Sequence, residues 1–200
     1  MKVFSSGFPK LAAAGFTLLE MMITLVILSI LVTMAIPAFT ISTKNQRLAS
    51  AAGNLIAELN YARSEAVREG RKIMVSSINS TCCGVNNGEW GTRGYGSWAD
   101  TSPAPSGDGI FTFGADTILR QIDSVGPNVT ATARDTVNNP VNTVIFYSDG
   151  TTNTSFTISV CDDRANEDGK YVDVLASGVV VALTTATAAG MGRNCTAVGH

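Results

Sequence analysis

From Leu18 to Ile36 the chain is apolar at every position except Glu20, Thr24, Ser29 and Thr33, and Glu20 is the only charge between Lys10 and Lys44. A helix that is apolar all round belongs in lipid or inside a larger assembly, not on a soluble surface. As a helix, the segment from Phe16 to Phe39 would reach roughly 36 Å, enough to cross a bilayer. After Pro37 the pattern becomes periodic. Leu48, Ala52, Leu55, Leu59, Ala62 and Ala66 recur at steps of four and three, which predicts an amphipathic helix. Arg47, Asn54, Glu58, Tyr61, Glu65 and Arg68 fall on the expected opposite face, and Gly70 supplies a stop. One helix from Phe16 to Glu69 would be about 81 Å long.

From Lys72 onward, short apolar segments alternate with Gly, Asn, Asp and Pro, as in an antiparallel sheet protein. Strands are expected at Lys72 to Ser77, Ile110 to Phe113, Thr117 to Ile122, Val141 to Tyr147, Phe156 to Val160, Lys170 to Leu175 and Gly178 to Leu183. Asp149-Gly150 reads as the turn of a hairpin joining the strands that end at Tyr147 and begin near Phe156. The Gly/Ser/Pro-rich stretch from Thr92 to Asp108 suggests no regular element.

Composition sharpens this division into a greasy end and a polar one. The 200 residues carry 14 basic and 16 acidic side chains, for a net charge of -2. Beyond Tyr95 there are five basic residues against eleven acidic ones, so a broad polyanion-binding surface is not expected there. The four cysteines, Cys82, Cys83, Cys161 and Cys195, have no CxxC or histidine partner, which fits disulfides in an oxidising compartment better than zinc. A Cys161–Cys195 bridge would tie the C-terminal tail to the end of a strand. The adjacent Cys82 and Cys83 either form a vicinal pair or send one member to a distant partner.

Little in the sequence suggests catalysis. His200, the only histidine, is the last residue, and the glycines between Gly91 and Gly96 lack the setting of a phosphate loop. Asp162, Asp163, Asn166 and Asp168 concentrate oxygen ligands that calcium favours, but their spacing is not that of an EF-hand, and a charged surface loop explains them more simply. Four Asn-X-Ser/Thr sequons, at Asn79, Asn128, Asn153 and Asn194, are what this composition gives by chance. No enzyme activity and no cofactor are expected.

The N-terminus is more specific. Lys2 and Lys10 precede Gly15-Phe16-Thr17-Leu18-Leu19-Glu20, the apolar run and Pro37. A carboxylate in a membrane helix is costly unless partnered, which marks Glu20 as functional. This order and spacing resembles the class III signal of type IV pilins and type II secretion pseudopilins. The run Ala62-Arg63-Ser64-Glu65-Ala66 before Gly70 is similar to the GspH/FimT branch of minor pseudopilins and minor pilins. Gly88-Glu89-Trp90-Gly91, Thr117-Ile118-Leu119-Arg120 and Val144 to Gly150 resemble that family's head more loosely.

The resemblance implies an α+β, type IV pilin-like fold: a leader over residues 1–15, an apolar helix over 16–39, an amphipathic helix over 40–70 and a β-rich periplasmic head over 71–200. It implies cleavage between Gly15 and Phe16 by a prepilin peptidase, N-methylation of Phe16, pairing of Glu20 with a neighbouring subunit's N-terminal amine, and a bend at Pro37. The implied partners are other pilin or pseudopilin subunits, the peptidase and an inner-membrane assembly platform. The implied function is that of a structural minor subunit of a type II secretion pseudopilus or type IV pilus. A rival is a DNA-capturing minor pilin. DNA-binding relatives carry Gly-Arg-X-Arg in the tail, whereas Gly192-Arg193-Asn194-Cys195 has cysteine for the second arginine, so nucleic acid is not an expected partner. Val179-Val180-Val181 also stands where relatives often show arginine after the Ser177-Gly178 pair.

Overall fold

The structure, a computed structural model, describes residues 15–79, 82–83, 88–101, 111–112, 114–164, 169–183 and 195, and divides into units Met1–Ser42 and Thr43–His200. The first unit is described from Gly15. Helix α1 (Leu18–Glu69) begins there and runs on into the second unit. Thr17 starts it: its hydroxyl accepts the Glu20 backbone N–H at 3.2 Å, and its carbonyl accepts that of Met21. The helix passes through Pro37 without a break.

In the second unit, α1 ends where the pattern predicts, with Gly70 at φ +67° and its N–H on the Ala66 carbonyl. Nine strands follow: β1 (Ile73–Asn79), β2 (Cys82–Cys83), β3 (Tyr95–Ala99), β4 (Thr117–Ile122), β5 (Val129–Asp135), β6 (Thr143–Phe146), β7 (Phe156–Asp162), β8 (Lys170–Val174) and β9 (Val180–Leu183). They form two antiparallel sheets. One runs β2-β1-β3-β4 with β6 also on β1; the other runs β5-β7-β8-β9.

Alternation along the strands sends one set of side chains from each sheet into a shared core. Ile73, Val75, Tyr95, Val144 and Phe146 come from the first sheet, and Ala131, Ala133, Phe156, Ile158, Val172 and Val174 from the second. Both meet the Leu48, Ala52, Leu55, Leu59, Ala62 and Ala66 stripe of α1. Trp90 sits fully buried among them, with its ring centre 6.2 Å from that of Tyr95 and 6.1 Å from that of Phe156, and its indole N–H on the Val141 carbonyl at 2.8 Å.

Three expectations are corrected here. The stretch from Thr92 contains β3, whose five residues are all buried. Phe111 and Thr112 are not in a strand, while Ile110 and Phe113 lie outside the described residues. The Asp149-Gly150 turn forms, with Tyr147 N–H on the Thr151 carbonyl and one bridge between Phe146 and Thr152, but it joins no hairpin. β6 pairs with β1 and β7 with β5 and β8, so this turn carries the chain from one sheet to the other. A turn sequence fixes a local reversal, whereas strand partners are chosen by burial of the faces.

Cys161, near the end of β7, is bonded to Cys195. The Cys195 backbone N–H donates to the Tyr171 hydroxyl at 3.1 Å, and Gly169 leaves the room that this contact needs, since a Cβ there would fall 2.2 Å from the Cys195 Sγ. Cys82 and Cys83 form β2 opposite Ile78 and Asn79; their side chains lie outside the described residues. Closing a 34-residue separation restricts the unfolded chain. Cys195→Ser should therefore lower head stability by about 3 kcal/mol in urea unfolding of the detergent-solubilised full chain, and an unchanged midpoint would show that the bridge contributes nothing.

Candidate functional site

In the first unit, the surface of α1 is apolar and faces outward. Its large apolar side chains from Leu18 to Ile41 are 46% to 78% exposed, and Phe16 is 77% exposed. The few hydroxyls are turned inward on the helix itself: Thr24, Ser29 and Thr33 donate to the carbonyls of Met21, Val26 and Ile30 at 2.7 to 2.9 Å. Their hydrogen-bonding demand is met without water, as a helix in an apolar medium requires. This is the one helix among the described residues long and apolar enough to span a membrane. Glu20 lies at the third helical position, three residues after the Thr17 cap, where the positive end of the helix dipole favours a carboxylate.

The second unit gives the Ala62-Arg63-Ser64-Glu65-Ala66 run a clear local role. Ala62 and Ala66 are fully buried against the sheets. Arg63 does not pair with Glu58 or Glu69, as helix spacing alone would suggest. It donates through Nε to the Gly150 carbonyl at 3.0 Å and through Nη2 to the Ser177 carbonyl at 3.4 Å. Two distant turns are thereby fastened to one helix side chain. Gly178, at φ +77°, lies so close to the Gly150 carbonyl oxygen that a Cβ would fall 1.8 Å from it. Asp149 stiffens the first turn by accepting the Thr151 N–H and hydroxyl, which holds its carboxyl below the usual range.

The other charges from Glu58 to Glu69 on this helix are paired as well. Glu65, expected on the outer face, is buried and bonded to Arg68 through both oxygens, and Arg68 keeps its carboxyl below the normal range. Glu69 binds Arg68 and Arg71. Glu58, also expected outside, is fully buried, with Arg120 Nε at 3.4 Å. The physical reason is spacing: Glu58 and Glu65 lie three residues after Leu55 and Ala62, close enough to share the inner face. Arg63, Arg68 and Arg71, the basic residues around the end of the helix, are thus all engaged within the chain. Arg120 appeared in the sequence only within the Thr117–Arg120 segment; its part here follows from a register opposite Ser97 that only the fold sets.

The acidic loop is engaged too. Asp162 accepts the Arg164 guanidinium at 2.8 Å, and Asp163 pairs with Lys44 at 2.8 Å, which holds the Asp163 carboxyl below its usual range. Asn166, Asp168 and Arg193 lie outside the described residues, and no metal-holding group of three acids, cysteines or histidines occurs among the described ones. The Arg63 clamp leads to a test. In Arg63→Ala, hydrogen exchange at the Gly150 and Gly178 amides should quicken at least tenfold, the loss of about 1.4 kcal/mol of local protection. Unchanged protection at both turns would remove the clamp.

The family model described as type II transport protein GspH matches residues 51–178, and that of the prokaryotic N-terminal methylation motif matches residues 10–36. Among solved structures, the type IV minor pilin FimU of Pseudomonas aeruginosa is similar at a TM-score of 0.53 and 22% identity, over 72% of this chain and 93% of that one. The minor pseudopilin EpsH of the Vibrio cholerae type II secretion system aligns at a TM-score of 0.47 and 12% identity, over 70% of this chain and 97% of that one. No curated protein sequence matches. The long helix, the two antiparallel sheets and a family match over more than half the chain lead to one conclusion: the chain belongs to the type II transport protein GspH family and carries the prokaryotic N-terminal methylation motif.

Proposed function

We propose that the chain is a structural minor subunit that assembles through α1 into a type II secretion pseudopilus or a type IV pilus. The observation that carries this reading is the predominantly apolar, exposed first part of α1 with Glu20 as its single charge. In this reading a prepilin peptidase cuts after Gly15, Phe16 is N-methylated, and the precursor is held in the inner membrane by one span with its head in the periplasm. An inner-membrane assembly platform then moves it into the fibre, where other pilin or pseudopilin subunits replace lipid around the helix. Glu20 pairs with a neighbour's N-terminal amine, because two opposite charges in an apolar medium offset a desolvation that neither tolerates alone. Pro37, which lacks the N–H for one ladder bond, gives the helix a point at which to bend on assembly. The subunit performs no catalysis.

Capture of DNA is the weaker reading. Arg63, Arg68 and Arg71 are held by carbonyls and carboxylates, and each phosphate contact contributes a salt slope of only about one. A gel-shift titration of the full chain in detergent should show no low-micromolar binding at physiological salt; binding abolished by Arg193→Ala would favour the DNA reading.

Intact-mass analysis of the membrane-extracted protein should find a chain beginning at Phe16 with one added methyl group. A mature chain retaining Met1 would overturn the processing step. Glu20→Ala should leave the head folded, with its Cys161–Cys195 bridge formed, while recovery in sheared fibres falls at least tenfold. Normal recovery would remove the pairing argument.

A further inference from the structure

Where α1 meets the first sheet, the protein encloses polar atoms that no hydrogen bond within the chain satisfies. Glu58 is fully buried and neither of its carboxylate oxygens has a hydrogen-bond partner; the buried hydroxyls of Tyr95 and Ser97 have none either. The fold brings these groups together. Tyr95 and Ser97 lie on one face of β3, and it is the face turned to α1, because Tyr95 and Ala99 join Leu59 and Ala62 in the core. Ser97 is in register with Arg120 on β4. Arg120 in turn places Nε 3.4 Å from Glu58 and its guanidinium carbon 4.8 Å from the centre of the Tyr61 ring. Burial first, then the Glu58 charge, pushes the Tyr95 hydroxyl above its usual range, so it is a neutral donor.

Charge and hydrogen-bond demand together select the occupant. Arg120 already balances Glu58, so a further cation or anion would leave a net charge in a buried place. The carboxylate needs donors, and each hydroxyl needs both an acceptor for its proton and a donor for its oxygen. Water, with two protons and two lone pairs, meets both demands, and buried polar groups of this kind are ordinarily joined through it. We propose that Glu58, Tyr95 and Ser97 form an internal hydration site between α1 and β3, in which ordered water bridges the carboxylate to the two hydroxyls while Arg120 and Tyr61 close it to solvent. The site is independent of the assembly reading.

The test turns on a sign. Removing a hydroxyl bonded to water lowers stability, whereas removing one that is buried and unbonded raises it. Tyr95→Phe and Ser97→Ala, each in the full chain in detergent, should both lower the thermal midpoint by about 2–4 °C. Ser97→Ala is the smaller change and keeps the comparison usable where Tyr95→Phe fails to fold. A crystal structure of the full chain should place water within about 3.2 Å of a Glu58 oxygen and of one of the two hydroxyls. A raised midpoint in either variant overturns the site, as does a direct Tyr95–Glu58 hydrogen bond without water, or a metal ion at that position.

Discussion

Everything in the head rests on burial of one face of α1, the stripe from Leu48 to Ala66. Both sheets send side chains into the same core as this stripe. The second sheet contributes Ala131 and Ala133 beside Ile158 and Val172, and the first contributes Ile73 and Val75 beside Tyr95. The helix stripe and the inner faces of both sheets are thus buried as one cluster. Alanines at 51, 52, 62 and 66 and the large rings of Trp90, Tyr95 and Phe156 are buried in this one core. At roughly 25 cal/mol per Å² of apolar area removed from water, this packing is the dominant favourable contribution to the head's stability.

The same helix obeys two solvent rules along its length. In the Thr43–His200 unit, amphipathic spacing is enough, because water is available to the outer face. In the Met1–Ser42 unit the hydroxyls are closed back on the helix, and a single carboxylate near the first turn is tolerated where the dipole favours it. A helix built this way is stable where apolar neighbours surround it, whether they are lipid tails or other helices. Under the proposed function, that equivalence lets one segment serve both as an anchor and as an assembly surface.

The long helix, its stop at Gly70 and most strands were legible because periodicity reports burial directly. β3 was not. Tyr95-Gly96-Ser97-Trp98-Ala99 is buried on both faces, so no alternation marks it, and its glycine and serine read as loop. β5, Val-Thr-Ala-Thr-Ala-Arg-Asp, does alternate, but with alanine as its inward residue the signal is faint. The Asp149-Gly150 turn was read correctly as a reversal and wrongly as a hairpin, since strand pairing is decided by residues far away in sequence. Glu58 and Glu65 were placed outside by their charge, although their spacing from Leu55 and Ala62 already put them near the inner face.

Those two buried glutamates carry a further implication about register. Packing of alanines and leucines against a sheet is non-directional, and a one-turn slide of α1 would put Leu59 and Ala66 near where Leu55 and Ala62 had been. It would also carry Glu58 away from Arg120 and Arg63 away from the Gly150 and Ser177 carbonyls. A buried carboxylate without its counter-ion is strongly destabilising, so the slid arrangement is disfavoured even where its apolar contacts are nearly as good. Apolar burial supplies the attraction between helix and sheets, while the few buried polar contacts select which of the similar packings is adopted.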